Sequence, residues 1–459
     1  MKMKAFKAVD MTVGTPWQQI LRFTVPMLLG NVVQQLYSTV DSIVVGRYVG
    51  DNALAAVGSA APILNLLLVL FIGISMGATI MVAQYLGAKD RNALSWTIGN
   101  CFTLIFIASV AMTVIGVAIT RPMLRLLRTP ESIMDWCSDY LIILFLGSIG
   151  LGFYNILSGV LRGMGDAISA LIYLVVASVI NIVLDLVFVA NFGMGVSGVA
   201  LATIIAQGIS AVLCINRLRK MNDVFDFGFK FFKWNSQYAG KIIKLGLPSG
   251  ITQAIFSMSI VLVQSLTNSF GEQLIAANVI VQRVDGFAVL PIFSFGSALT
   301  TYAGQNIGAG DRERVEKGSR QGLFMSLLFS VIILAVILIF GRGLMSIFTK
   351  TTELVDLSMH LMRILAVGYI LMALIQALTG VMRGAGDTVT PMWISIIETF
   401  FLRMPLAYIM VYFSRSEAYP IGNQDMIYYS LLIAWGIGTV MSIIFYRFGN
   451  WRKKGLTSN

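Results

Sequence analysis

Twelve long apolar runs divide the chain, near residues 17–45, 54–83, 93–119, 133–157, 167–190, 196–216, 241–268, 274–302, 319–340, 355–380, 388–413 and 427–446. Each is close to or above the ~20 residues an α-helix needs to cross a bilayer. The connections between them are mostly too short to hold a soluble domain. The pattern therefore predicts an all-α membrane protein of twelve transmembrane helices. Met1-Lys-Met-Lys-Ala-Phe-Lys7 is basic, but no small-residue cleavage site precedes the full-length run that follows. That run is expected to be a span and not a cleaved leader.

The apolar pattern also repeats. Gln84-Tyr-Leu-Gly-Ala-Lys-Asp90 returns 221 residues later as Gln305-Asn-Ile-Gly-Ala-Gly-Asp311. Gly159-Val-Leu-Arg-Gly-Met-Gly-Asp166 returns at the same offset as Gly380-Val-Met-Arg-Gly-Ala-Gly-Asp387. Ala55-Ala56 after Gly50 matches Ala276-Ala277 after Gly271, and Pro26 matches Pro248 one residue out of step. Each half holds six spans, an even number, so both halves start on the same side. The expectation is two six-helix lobes related by a parallel pseudo-two-fold repeat. Residues 1–216 form the N-terminal lobe in this reading, 217–240 a basic cytoplasmic linker, 241–446 the C-terminal lobe and 447–459 a basic cytoplasmic tail.

Composition narrows the class. Of 459 residues, 57% are apolar and 12% charged, which excludes a soluble enzyme and a disordered chain. Cys101, Cys137 and Cys214 lie inside apolar runs and His360 is the one histidine, so neither a disulfide framework nor a Cys- or His-based metal site is expected. The formal net charge is +11. With the N-terminus placed in the cytoplasm, 23 of the 33 Lys and Arg fall on that side and seven outside. The remaining three, Arg283, Arg363 and Arg403, lie within spans. That bias follows the positive-inside rule and puts both termini in the cytoplasm of a bacterial inner-membrane type of plasma membrane. The charge then serves topology and anionic lipid, and no nucleic-acid partner is expected.

In Gly-x-x-Arg-Gly-x-Gly-Asp, glycines are suited to the left-handed conformations that end a helix. Arg162 or Arg383 suits the negative end of the helix dipole, and Asp166 or Asp387 can cap the next helix. A tight cytoplasmic turn is the first reading, and a gating role the second. Two six-span halves, each with an early Pro, Gln-x-x-Gly-Ala-x-Asp after its second span and Gly-x-x-Arg-Gly-x-Gly-Asp after its fourth, resemble the MATE (multidrug and toxic compound extrusion) transporters. The resemblance covers roughly residues 15–450. It implies two lobes around a central cavity, with export of amphipathic organic cations or drugs in exchange for H+ or Na+, no cofactor, and function as a monomer in the lipid bilayer.

Carboxylates inside spans are costly and mark function by default. Asp41, Asp185, Asp285 and Glu398 qualify. Gln34, Tyr37, Ser38 and Asp41 share one helical face, and Asp185 lies four residues after Asn181. In the DinF-like branch of the MATE family, a cation site uses an Asp on span 1, an Asn and Asp four apart on span 5 and a Thr on span 6. Asp41, Asn181, Asp185 and Thr203 match it position by position, with Asn155 on span 4 a looser match. Such oxygen ligands suit Na+. Without a metal, two adjacent carboxylates cannot both stay ionised, which makes the pair a proton carrier. No Lys or Arg lies in span 1 after Arg22, or in spans 5 and 6, to neutralise them.

The second half reads differently. Arg283 and Asp285 on span 8, and Glu398 and Arg403 on span 11, can neutralise one another or serve a substrate cavity. The Glu on span 7 and Asp on span 10 that the NorM-like branch carries are both missing here, which places the chain nearer the DinF-like branch. Phe256, Met258 and Phe287, with Gln34, Tyr37, Asn155, Asp285 and Glu398, are candidates for a substrate cavity, since Met and aromatic side chains adapt to many shapes. A flippase for a lipid-linked oligosaccharide or cell-wall precursor is the alternative function. Its pyrophosphate would call for a cationic cavity, whereas the N-terminal lobe is acidic. A membrane enzyme is not expected from one histidine and no metal motif.

Overall fold

The computed structural model describes residues 8–455 apart from 418, and all side chains in that range except those of residues 66 and 67. Lys2, Lys4 and Lys7 of the basic N-terminal run, and residues 456–459 of the basic tail, lie outside the described residues. The chain is all-α. Helix α1 spans Pro16–Tyr48, α2 Asp51–Gly87, α3 Arg91–Leu126, α4 Glu131–Leu146, α5 Ser148–Gly163, α6 Ala167–Asp185, α7 Gly195–Arg219 and α8 Ser236–Asn268. Next come α9 over Glu272–Ala288, α10 over Leu290–Gly308, α11 over Arg312–Ser346, α12 over Thr352–Gly384, α13 over Val389–Ile396, α14 over Met404–Phe413 and α15 over Asp425–Phe448.

These helices make twelve spans, several of them broken. The fourth is α4 and α5, bent by 57° at Gly147. The eighth is α9 and α10, which meet at Val289 ahead of Pro291. The fifth continues from α6 through a π-helical turn, Leu186–Asn191, and the eleventh joins α13 to α14 through another, Ile397–Arg403. By length and apolarity ten stretches among the described residues qualify to cross a membrane, or eleven with the bent pair. Helix α1 is 33 residues, long enough at 1.5 Å per residue. It is less apolar because it carries Gln34, Gln35 and Asp41.

The chain forms two compact units. Unit 1 holds Met1–Asp10 and Val25–Gly250, and unit 2 holds Met11–Thr24 and Ile251–Asn459. The basic segment read as a linker packs within unit 1. Arg91 at the start of α3 binds Asp226 at 2.6 Å and donates to the carbonyls of Asn222 and Asp223. Phe231 meets Trp96 edge-on at 5.3 Å, and Phe232 stacks on Phe102 at 5.0 Å. These aromatics sit on a 3₁₀ turn, Phe229–Phe232, and its counterpart at the 221-residue offset is the 3₁₀ turn Asn450–Lys453. There Trp451 is buried against Tyr446 and Arg452. Each half thus ends in an aromatic hook, which sequence identity hides because Phe-Lys-Phe-Phe and Asn-Trp-Arg-Lys share no aligned residue.

The repeated motifs have two jobs, and the expectation that their glycines serve a turn is corrected in part. Of the six glycines in the two Gly-x-x-Arg-Gly-x-Gly-Asp stretches, Gly165 and Gly386 take positive φ, +81° and +92°, as does Gly310 of the other motif at +77°. Gly159, Gly163, Gly380 and Gly384 are helical and let two backbones touch. A Cβ on Gly163 would sit 2.7 Å from the carbonyl oxygen of Thr79, and one on Gly384 would overlap that of Thr300. Thr79 and Thr300 are themselves repeat equivalents, and their hydroxyls donate to the carbonyls of Gly159 at 2.9 Å and Gly380 at 3.0 Å. Small residues at such crossings give close van der Waals packing where lipid offers no hydrophobic gain. Gly384→Ala is expected to cost about 1–3 kcal/mol by overpacking. Thermal unfolding of the purified variant in detergent reads this, and an unchanged midpoint would refute the crossing.

The aspartates act as expected. Asp166 accepts from the Ser169 N–H at 3.1 Å, and Asp387 from the Thr390 N–H at 3.3 Å. Asp90 and Asp311 cap α3 and α11 in the same way, each at 2.9 Å.

Candidate functional site

Within unit 1, three helices place polar groups together in an otherwise apolar bundle. Helix α1 brings Tyr37 and Asp41 on one face, α6 brings Asn181 and Asp185 one turn apart, and α7 brings Thr203. The carboxyls of Asp41 and Asp185 are within hydrogen-bonding reach of each other. With its amide oriented by its surroundings, Asn181 donates to Asp185 Oδ2 at 2.9 Å and accepts from the Thr203 N–H at 3.2 Å. The Tyr37 hydroxyl lies 3.4 Å from Thr203 Oγ1. Asn181 and Asp185 are fully buried. The structure thus brings together all four residues matched to the DinF-like pattern, and Tyr37 with them.

The second oxygens of the pair decide its chemistry. Oδ1 of Asp41 and Oδ1 of Asp185 are both buried without a hydrogen-bond partner. Among the described residues, neither carboxyl forms a salt bridge. Two carboxyl groups in contact need a proton between them or a cation across them. Asp185 closes α6, and the π-helical turn follows at once. Such a turn inside a span often marks a functional position. Tyr140 on α4 was missed by sequence reasoning. It is buried and close enough to Asp41, Tyr37 and Asp185 to feel their charge. Helix spacing carries no signal for it, since only the bend at Gly147 and the packing of α4 decide where it points.

Other candidates separate. Asn155 does not join the cluster, because its amide donates to the carbonyl of Leu151 one turn back at 2.8 Å. Gln34 is exposed on α1. In unit 2, Phe256, Met258 and Phe287 are exposed by 39%, 53% and 42%, so they are not part of that unit's packed interior. Asp285 accepts a hydrogen bond from the buried Tyr369 hydroxyl at 2.7 Å. Direct neutralisation is not what the structure shows: among the described residues, neither Arg283 with Asp285 nor Glu398 with Arg403 closes to a salt bridge. Arg283 is exposed, while Glu398 is buried.

Comparison with known proteins agrees with this architecture. The MatE family profile matches residues 26–187 and 248–409, one stretch in each half. The chain is 30% identical over 450 residues to a protein of Bacillus subtilis (strain 168) named probable multidrug resistance protein YoeA, covering 96% of this chain and 95% of that one. It is 28% identical over 453 residues to the probable multidrug resistance protein NorM of Thermotoga maritima, covering 96% and 94%. A solved transporter of the MOP superfamily from Pyrococcus furiosus superposes with a TM-score of 0.87 at 25% identity, covering 98% of both chains. That protein is described as having a binding pocket of reversed polarity that suggests a different function. The family and the relatives named for multidrug resistance make this a multi-pass membrane transporter of the drug-efflux kind, not an enzyme, and the chain belongs to the MATE family.

Proposed function

We propose that this protein is a secondary active antiporter that exports amphipathic organic cations or drugs by alternating access, with Asp41 and Asp185 as the coupling site. The observation that carries this reading is the contact of two carboxyls, each with a buried unpartnered oxygen and neither neutralised by a base. Such a pair binds a cation more tightly in one conformation than in another, and only that difference lets an ion bias a conformational equilibrium. Asn181, Tyr37 and Thr203 orient the pair and supply further oxygens. Two adjacent carboxyls in a low-dielectric site cannot both stay ionised and hold one proton between them, so H+ is the expected coupling ion, with Na+ the alternative that the same oxygens suit. The match of Asp41, Asn181, Asp185 and Thr203 supports a place near the DinF-like branch, and the positive-inside bias supports cytoplasmic termini in a bacterial plasma membrane. The protein is read as working as a monomer.

The test is ethidium accumulation in inverted vesicles with a proton gradient or a Na+ gradient imposed separately. The proton gradient is expected to drive accumulation. Accumulation driven by Na+ alone would reassign the ion, and failure with both would overturn antiport.

A further inference from the structure

We propose that unit 2 holds a second proton-exchanging site, in which Glu398 and Asp285 share Arg403 as a built-in counter-cation. The local backbone makes this arrangement. Glu398 and Arg403 are five residues apart, and in an ordinary α-helix that spacing turns two side chains about 140° away from each other. The π-helical stretch Ile397–Arg403 instead brings residues five apart into line. Acid and base therefore face the same region, where each feels the other's charge, yet among the described residues they stop short of a salt bridge. Arg403 also feels Asp285 on α9.

Burial makes the arrangement costly unless it is used. Glu398 is 9% exposed, and among the described residues no side chain or backbone group hydrogen-bonds its carboxylate. It lies against α15 in space that a glycine leaves, since a Cβ on Gly438 would stand 2.6 Å from Glu398 Oε2. Asp285 is held by Tyr369 of α12, and Tyr428 of α15 donates to Asn278 of α9 at 2.8 Å. Helix α13 has no titratable side chain. On α14, Tyr408 bonds the carbonyl of Leu262 and Tyr412 is exposed. Asp425, at the start of α15, is engaged with His360 at 2.8 Å.

Two carboxylates and one guanidinium leave one negative charge in a low-dielectric site, and one proton from water neutralises it. When Glu398 holds that proton, Arg403 balances Asp285. When Glu398 releases it to water, a cationic cargo can take its place. This cluster is not a copy of the one in unit 1. At the 221-residue offset, Glu398, Arg403 and Asp285 correspond to Ala177, Ile182 and Leu64, while Asp41 and Asp185 correspond to Leu262 and Leu406.

The test reads protonation directly, so its outcome is independent of whether unit 1 couples transport. Infrared difference spectra of the purified full-length protein across a pH titration monitor the carbonyl band of protonated carboxylic acids. Glu398→Gln is expected to remove one pH-sensitive component that Asp41→Asn leaves in place, and the double variant to lack both. A Glu398→Gln spectrum identical to wild type would overturn the proposal. If Glu398→Gln does not accumulate, Glu398→Asp should shift that component in frequency and pH range, and an unshifted spectrum would overturn it equally.

Discussion

Asp41→Asn protein is expected to insert at wild-type abundance and to export no ethidium above background. Asn keeps the size of the side chain, and its amide can donate to Asp185 where the wild-type pair holds a proton. The fold therefore keeps its contacts while the exchangeable charge is gone. A site that no longer alternates between loaded and empty forms cannot bias the orientation of the transporter, whatever its affinity for drug. Asp41→Glu keeps a titratable group one methylene out of place and should retain partial export. Asp185→Asn should match Asp41→Asn, and the double variant should be no worse than either, because groups that act as a unit are not additive. Efflux from cells at matched expression decides this. Normal export by Asp41→Asn would make the residue structural and move coupling elsewhere.

Asp166→Ala should destabilise the protein far more than Asp387→Ala, although the two motifs are near-identical in sequence. Asp166 is buried, caps α6 through Ser169 and accepts from Arg217 Nε at 2.7 Å, with the arginine 22% exposed. Removing it loses a cap and the ion pair to a mostly buried guanidinium. Breaking a buried pair costs about 3–5 kcal/mol, and the partial exposure of Arg217 puts the expectation at the lower end. Asp387 is bound instead by Lys454 Nζ at 2.9 Å, and that lysine is 47% exposed. Water replaces most of what it loses, so the cost there is mainly the cap, about 1 kcal/mol. Thermal unfolding of the two variants in detergent measures the order. Asp166→Ala with Arg217→Met should recover stability, and equal losses at the two positions would refute the account.

The number of spans, the membrane setting and the two-fold repeat were legible in the chain itself, because a bilayer admits few backbone solutions. Around twenty apolar residues without water must close their hydrogen bonds within a helix, so hydropathy alone locates α2, α3, α11 and α12. Asp41 and Asp185 stood out as candidates for the related reason that a carboxylate in an apolar run with no base near it has few structural uses, with Asn181 one turn before Asp185, whereas Thr203 entered through the resemblance to the DinF-like pattern. The glycine punctuation around 159–166 and 380–387 showed where helices end. It did not show that Gly163 and Gly384 serve a helix crossing, since a glycine in sequence does not say what approaches it.

Helix-to-helix contact settled the rest. That Asp41 and Asp185 touch, that Tyr140 joins them and that Asn155 turns back on its own helix depend on how α1, α4, α5 and α6 rotate and bend, which spacing along one helix does not encode. The hooks at 229–232 and 450–453 hold equivalent places through different aromatics, so only their packing reveals the repeat. Glu398 and Arg403 lie in an apolar run that reads as ordinary helix. The added residue per turn at Ile397–Arg403 is what aims both groups the same way; it runs into Pro405, which has no N–H for an α-helical bond, and it packs against α15.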